Sequence, residues 1–170
     1  MTDQRHNSGF ASRIFTAVDL SHARALWLLA LLGYALFIPG LATLQPMDRD
    51  EPRFAQASKQ MLESRDYVDI RFQDEARHKK PVGIYWLQSA AVALGEAAGV
   101  SEARTQIWLY RLPSLLGALV SLFATYWAGL AFLTRRSAFL AAILFGSTLL
   151  IGVEARLAKT DAVLCAVSIG

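Results

Sequence analysis

Asp50 and Arg53 stand three residues apart in the run Met47-Asp48-Arg49-Asp50-Glu51-Pro52-Arg53, which begins three residues after a 20-residue uncharged stretch closes at Leu44. Both residue types can do chemistry in that setting. A carboxylate can act as a general base, and a guanidinium beside it can hold a phosphate. If a helix opens near Pro52, the two side chains become neighbours at its N-terminal end. A plain helix start, with acids facing the dipole and a solvated arginine, fits the same spacing, and the residues alone leave both readings open.

Two further charged groups accompany this one. His78-Lys79-Lys80-Pro81 directly precedes an apolar helical stretch at 82–98. Lysines there suit anionic headgroups in general, as snorkelling anchors, and His78 reads as a solvated loop histidine. Beside Tyr85 and Trp86, however, Lys80 can grip a lipid phosphate while the aromatics bed the neighbouring chain. The third group, Glu154-Ala155-Arg156-Leu157-Ala158-Lys159-Thr160-Asp161, separates two apolar runs, where charges are costly unless paired or functional. Arg156 and Lys159 can neutralise Glu154 and Asp161, or the group can belong to a site.

The elements that must position these residues are apolar. The chain has 170 residues, 54% hydrophobic and 18% charged, too apolar for an ordinary soluble domain, and it reads as an all-α integral membrane protein. Three long uncharged stretches predict transmembrane helices at 24–44, 112–133 and 137–153, and a fourth begins at 162 and runs to 170. The last is too short to cross, so a fragment of a longer polytopic protein is expected. Residues 1–23 read as a soluble tail. A cleaved signal peptide with Gly40-Leu41-Ala42 as its site is the rival, but the apolar stretch exceeds the roughly 7–15 residues of a signal core.

Arg135-Arg136, in the turn 134–136, marks that hairpin as cytoplasmic. The tail is then cytoplasmic too, and the loop 45–111 and the charged segment 154–161 lie outside. All three charged groups thus share one membrane face, which accident explains poorly. Within the outer loop, Pro52 and the apolar or small residues Phe54, Ser58, Met61 and Leu62 predict an amphipathic helix to about Ser64, lying on the membrane surface. The stretch 82–98 is at the lower limit for crossing, and an interfacial helix is favoured over a short span. Small residues at Gly95 and Gly99, and at Gly117 and Ser121, permit close helix approach, with ordinary packing the preferred explanation.

Several function classes drop out. The net charge of +3 is small and the basic residues are scattered, so no nucleic-acid footprint is present. The single cysteine, Cys165, allows neither an internal disulfide nor a cysteine metal site. No Gly-rich phosphate loop and no G-x-S-x-G turn occurs.

Taken in order, Asp50-Glu51-Pro52-Arg53-Phe54-Ala55, Met61-Leu62-Glu63-Ser64, Lys80-Pro81 with Tyr85-Trp86-Leu87, Arg111-Leu112-Pro113-Ser114 and Arg156-Leu157-Ala158-Lys159-Thr160-Asp161 resemble the N-terminal third of polytopic glycosyltransferases of the GT-C type. These are the bacterial relatives of the protein O-mannosyltransferases and of the aminoarabinose transferases that modify lipid A. The resemblance runs from about Leu26 to the end. It implies inverting transfer of a sugar from a polyprenyl-phosphate donor to a lipid or protein acceptor, on the outer, periplasmic face of the inner membrane. By that resemblance Asp50 is the catalytic carboxylate and Asp161 a second acidic residue lining the site. Arg53 and Lys80 bind the carrier phosphate, with Glu51, Tyr85 and Trp86 also on the substrate side. Relatives often carry an acidic residue before the lysine of the Lys-Pro pair, where it helps hold a divalent metal. Lys79 stands there in this chain, and the metal is left open. The alternatives are a non-catalytic small membrane protein or inactive truncated paralogue, and a transporter fragment.

Overall fold

The computed structural model describes residues 9–46, 49–77 and 80–170, and within them the regular structure is helical apart from one short hairpin, in keeping with the all-α expectation. Helix α1 (Phe10–Leu20) turns at Ser21 into α2 (His22–Phe37), and α3 (Asp50–Ser64) follows. A two-stranded antiparallel hairpin, β1 (Arg71–Phe72) and β2 (Glu75–Ala76), leads to α4 (Gly83–Ala97). A short 3-10 turn at Ala103–Thr105 precedes α5 (Ile107–Gly129), after which come α6 (Arg135–Gly146), α7 (Leu149–Glu154) and α8 (Asp161–Ile169).

Local chemistry accounts for the main boundaries. Ser21 is extended and its hydroxyl accepts from the Ala23 N–H, which starts α2 afresh after α1. Thr134 starts α6 in the same way through the Ser137 N–H. Helix α4 ends at Gly99, whose φ of +79° lets the Gly99 and Val100 amides turn back onto the Glu96 and Gly95 carbonyls.

Helix α5 is the axis of the molecule and packs against α2, α4, α6, α7 and α8. Its Leu115, Ala118, Leu122 and Tyr126 join Leu29 and Phe37 of α2, Phe139 and Ala142 of α6, and Ala162 of α8 in one buried core. A second cluster, Phe54, Ala57 and Met61 with Ile84 and Tyr85, seals α3 onto α4. Between those two helices the Ser58 hydroxyl donates to Gln88 Oε1 at 2.6 Å, and the Ser89 hydroxyl donates to the Ser58 carbonyl. The hairpin is clamped to α3 by Gln60, whose amide group bonds both N–H and C=O of Gln73. In the preceding loop, the Val68 and Asp69 amides donate to Asp66 and hold its carboxyl below the ordinary value.

Two arginines fasten backbone across long sequence distances. Arg156, beyond α7, donates to the carbonyls of Leu36 and Pro39 at the end of α2 as well as to Gly152. Arg135 donates to the Asp19 and Val18 carbonyls, while Arg136 pairs with the Asp19 carboxylate, so α1 is tied to the start of α6.

The elements differ from expectation in several places. Residues 1–23, read as a tail, contain α1, whose Ile14, Phe15 and Val18 pack into the core. The apolar stretch 24–44 forms α2 only as far as Phe37, because Pro39 and Gly40, the latter at φ +89°, carry the chain into turns. The stretch 137–153 is two helices broken at Ser147-Thr148, and of 112–133 the part to Gly129 belongs to a helix that starts five residues earlier, at Ile107. The helix expected from Pro52 to Ser64 is α3, beginning at Asp50. Among the described residues one helix, α5, is long and apolar enough to cross a membrane, with a mean hydropathy of 1.5. Helix α2 is apolar but shorter.

Candidate functional site

The N-terminus of α3 puts Asp50 and Glu51 in its first turn, on the positive end of the helix dipole, and sends them in opposite directions. Asp50 is half-exposed and its carboxylate lies 3.4 Å from Arg53 Nη1, the juxtaposition the spacing predicts. Glu51, one residue on, is fully buried and forms a two-pronged ion pair with Arg111 of α5, at 2.7 Å to Nε and 3.2 Å to Nη2. Its Oε1 also accepts from the Ala158 N–H at 3.0 Å. Arg111 uses Nη1 on the carbonyls of Leu41 and Leu44, at 2.6 and 2.9 Å. A bidentate guanidinium–carboxylate pair with its remaining donors on carbonyls is the geometry in which a buried charge pair offsets its desolvation. One point therefore joins the turns after α2, the start of α3, the second turn of α5 and the segment before α8. Expected on the substrate side, Glu51 instead has both carboxylate oxygens engaged within the fold.

The segment before α8 is held a second time. Ser114 of α5 donates its hydroxyl to the Lys159 carbonyl at 2.9 Å and accepts from the Lys159 N–H at 3.4 Å. Lys159 Nζ lies 3.9 Å from Glu154. Asp161, the first residue of α8, is exposed. Two residues on, Val163 packs against the cluster of Phe54, Ile84 and Tyr85, and so does Val82, two residues after Lys80. The beginnings of α3, α4 and α8 thus meet around one apolar cluster, carrying Asp50 and Arg53, Lys80, and Asp161 respectively.

Lys80 is exposed and makes no ion pair among the described residues. Tyr85, expected to bed a lipid chain, is fully buried instead. Its ring stacks on Phe54 with centroids 5.4 Å apart, and its hydroxyl accepts from Arg77 Nε at 3.1 Å, with the Arg77 guanidinium 5.3 Å from the Phe54 ring centre. Trp86 is 50% exposed and donates its indole N–H to the Tyr67 carbonyl, so its ring does face outward. Asp48, His78 and Lys79 lie outside the described residues.

Arg111 is the buried charged residue beside the candidate site to which the residue-by-residue reading gave no role. The available signal was an arginine abutting the apolar run 112–133, a charge that burial demands be paired. Among the described residues Asp50 faces a cation in Arg53, and no group of three acidic, histidine or cysteine side chains that could hold a metal ion is found.

Beside this region an apolar groove of about 770 Å³ runs between α4, α5 and α8, lined by Leu87, Leu94, Trp108, Leu116, Val120 and Val167 among others. In comparison with known proteins, no family model, no curated protein and no solved structure matches the chain.

Proposed function

We propose that this chain provides the donor side of a membrane glycosyltransferase, which moves a sugar from a polyprenyl-phosphate carrier to a lipid or protein hydroxyl with inversion. The observation that carries this reading is the meeting of three helix starts around one cluster. Asp50, Arg53, Lys80 and Asp161 lie at or just before those starts, and the buried Glu51, paired with Arg111, accepts from the Ala158 N–H and so ties the start of α3 to the segment before α8. The membrane part of the proposal draws support from the surface. Trp27, Leu31, Leu116, Leu144 and Phe132 are each more than half exposed, an apolar exterior that lipid accommodates better than water.

In this mechanism Asp50 accepts the proton of the acceptor hydroxyl as its oxygen attacks the anomeric carbon from the face opposite the phosphate. The bond from that carbon to the phosphate oxygen breaks, and its electron pair leaves with the phosphate. Arg53 and Lys80 stabilise the charge that develops there, the interaction worth most in the transition state. Asp161 is a second acidic residue lining the site. The Asp50–Arg53 contact is exposed enough to open as the phosphate arrives.

Asp50→Asn, introduced at the native locus, is expected to lower transfer of radiolabelled sugar in isolated membranes at least about 100-fold, the low end for removing a general base. Membrane insertion should be unchanged, and preserved turnover sinks the assignment. The orientation has its own check. A cysteine placed at Gln73 should react from outside with a reagent that cannot cross the inner membrane, and one at Ser137 should not. The reverse pattern removes the outward-facing site.

A further inference from the structure

The geometry points to a binding site for the phosphate of an anionic phospholipid in the elbow between α1 and α2, with Arg13 and Arg24 as its cations. Four arginines crowd this end of the molecule, and two of them are engaged: Arg135 on the α1 carbonyls and Arg136 on Asp19. Arg13 and Arg24 are exposed and make neither hydrogen bond nor ion pair by their side chains among the described residues. Both line one cleft of about 320 Å³ together with Ser12, Thr16, Ala17 and Leu20.

The cleft is preformed. Ser21 caps α2 at the elbow, and His22 anchors the first turn: its Nδ1 lies 2.9 Å from the Tyr126 hydroxyl, its Nε2 3.1 Å from Arg135, and its ring stacks on Trp127. The Ser12 and Thr16 hydroxyls already donate to the Gly9 and Ser12 carbonyls. The two guanidiniums are therefore the donors left for an anion, and planar forks of this kind suit phosphate oxygens.

The surface below distinguishes a lipid from a free phosphate ion. Arg24, Trp27, Leu31 and Tyr34 follow one another at spacings of three, four and three, one stripe of α2. The last three are 71%, 61% and 66% exposed. A headgroup held at Arg24 places its acyl chain along that stripe, and a soluble anion has no use for it. The elbow is also separate from the region of Asp50. Arg24 lies about 20 Å along α2 from the Phe37 end, at 1.5 Å per residue, and it is that far end whose turns reach Arg111 and Arg156.

This inference rests on the membrane reading above but not on the chemistry assigned to Asp50. The test is native mass spectrometry of the whole protein released from bilayers of phosphatidylcholine with phosphatidylglycerol, for the wild type and for R13Q/R24Q. At about fivefold per surface cation, the double variant should retain roughly 25-fold less phosphatidylglycerol, with phosphatidylcholine retention equal in both. Equal phosphatidylglycerol retention overturns the site, as does its displacement by millimolar inorganic phosphate, which would mark a soluble anion as the ligand. Failure of the wild type to enter pure phosphatidylcholine bilayers overturns the membrane reading, and the site with it. Both arginines are exposed, and an unchanged thermal midpoint for R13Q/R24Q confirms that the comparison is between folded proteins.

Discussion

An Arg111→Met protein is expected to lose about 3–5 kcal/mol of stability, read as a fall in the unfolding midpoint in detergent. Removing the guanidinium leaves the Glu51 carboxylate fully buried with the Ala158 amide as its remaining donor, and it strips the Leu41 and Leu44 carbonyls of theirs. Glu51→Leu should cost a similar amount, because it leaves the arginine buried without its counter-ion. The double variant Glu51→Leu/Arg111→Met should recover much of the loss, since replacing both partners removes the unpaired charge. It should not recover all of it. The two carbonyls stay without a donor, at about 1–3 kcal/mol for each that remains buried. Single variants that each cost less than about 1 kcal/mol would show that this pair holds nothing together.

The second large effect belongs to Gly117. A Cβ at this position in α5 would sit 2.8 Å from the backbone of Ala162 and of Val163, and backbone atoms cannot swing aside as a side-chain tip can. Gly117→Ala is therefore expected to cost about 1–3 kcal/mol by forcing α8 away from α5. Because Asp161 opens α8, the proposed transfer activity should fall with it. Gly83→Ala is the matched control, since a Cβ there meets nothing within 4 Å. It should leave both stability and activity close to wild type. Equal behaviour of the two variants refutes close backbone packing as the reason for Gly117.

How much of this was legible in the sequence differs by element. Helix α3 was readable because Pro52 sits in its first turn and Phe54, Ser58, Met61 and Leu62 recur at helical spacing. The Asp50–Arg53 contact followed from that spacing alone. Helix α1 was missed because its inward face is only Ile14, Phe15 and Val18, interrupted by Arg13, Thr16 and Asp19, and what holds it is Arg135 and Arg136, more than 110 positions away. The break at Ser147-Thr148 was invisible to a search for uncharged stretches, which does not distinguish one long helix from two short ones end to end. The spacing of Gly117 and Ser121 permits close approach without demanding it, and it is the contact with the backbone of α8 that shows why Gly117 is a glycine. For the candidate site, the residue types were visible, but which acid would be buried was not. Asp50 and Glu51 are adjacent and chemically alike, and only the position of Arg111, 60 residues on, decides that Glu51 turns inward.

The bonds from Arg156 to the Leu36 and Pro39 carbonyls reach back 120 and 117 positions. The end of α2 is synthesised well before Arg156, and its carbonyls lack this partner until residue 156 has emerged. The same holds for Leu41 and Leu44, which wait for Arg111. The first helices and the turns after them must therefore remain provisional while the middle of the chain is made, their unfilled acceptors kept in contact with water or headgroups. The end of α2 and the turns after it are made well before the arginines that fix them.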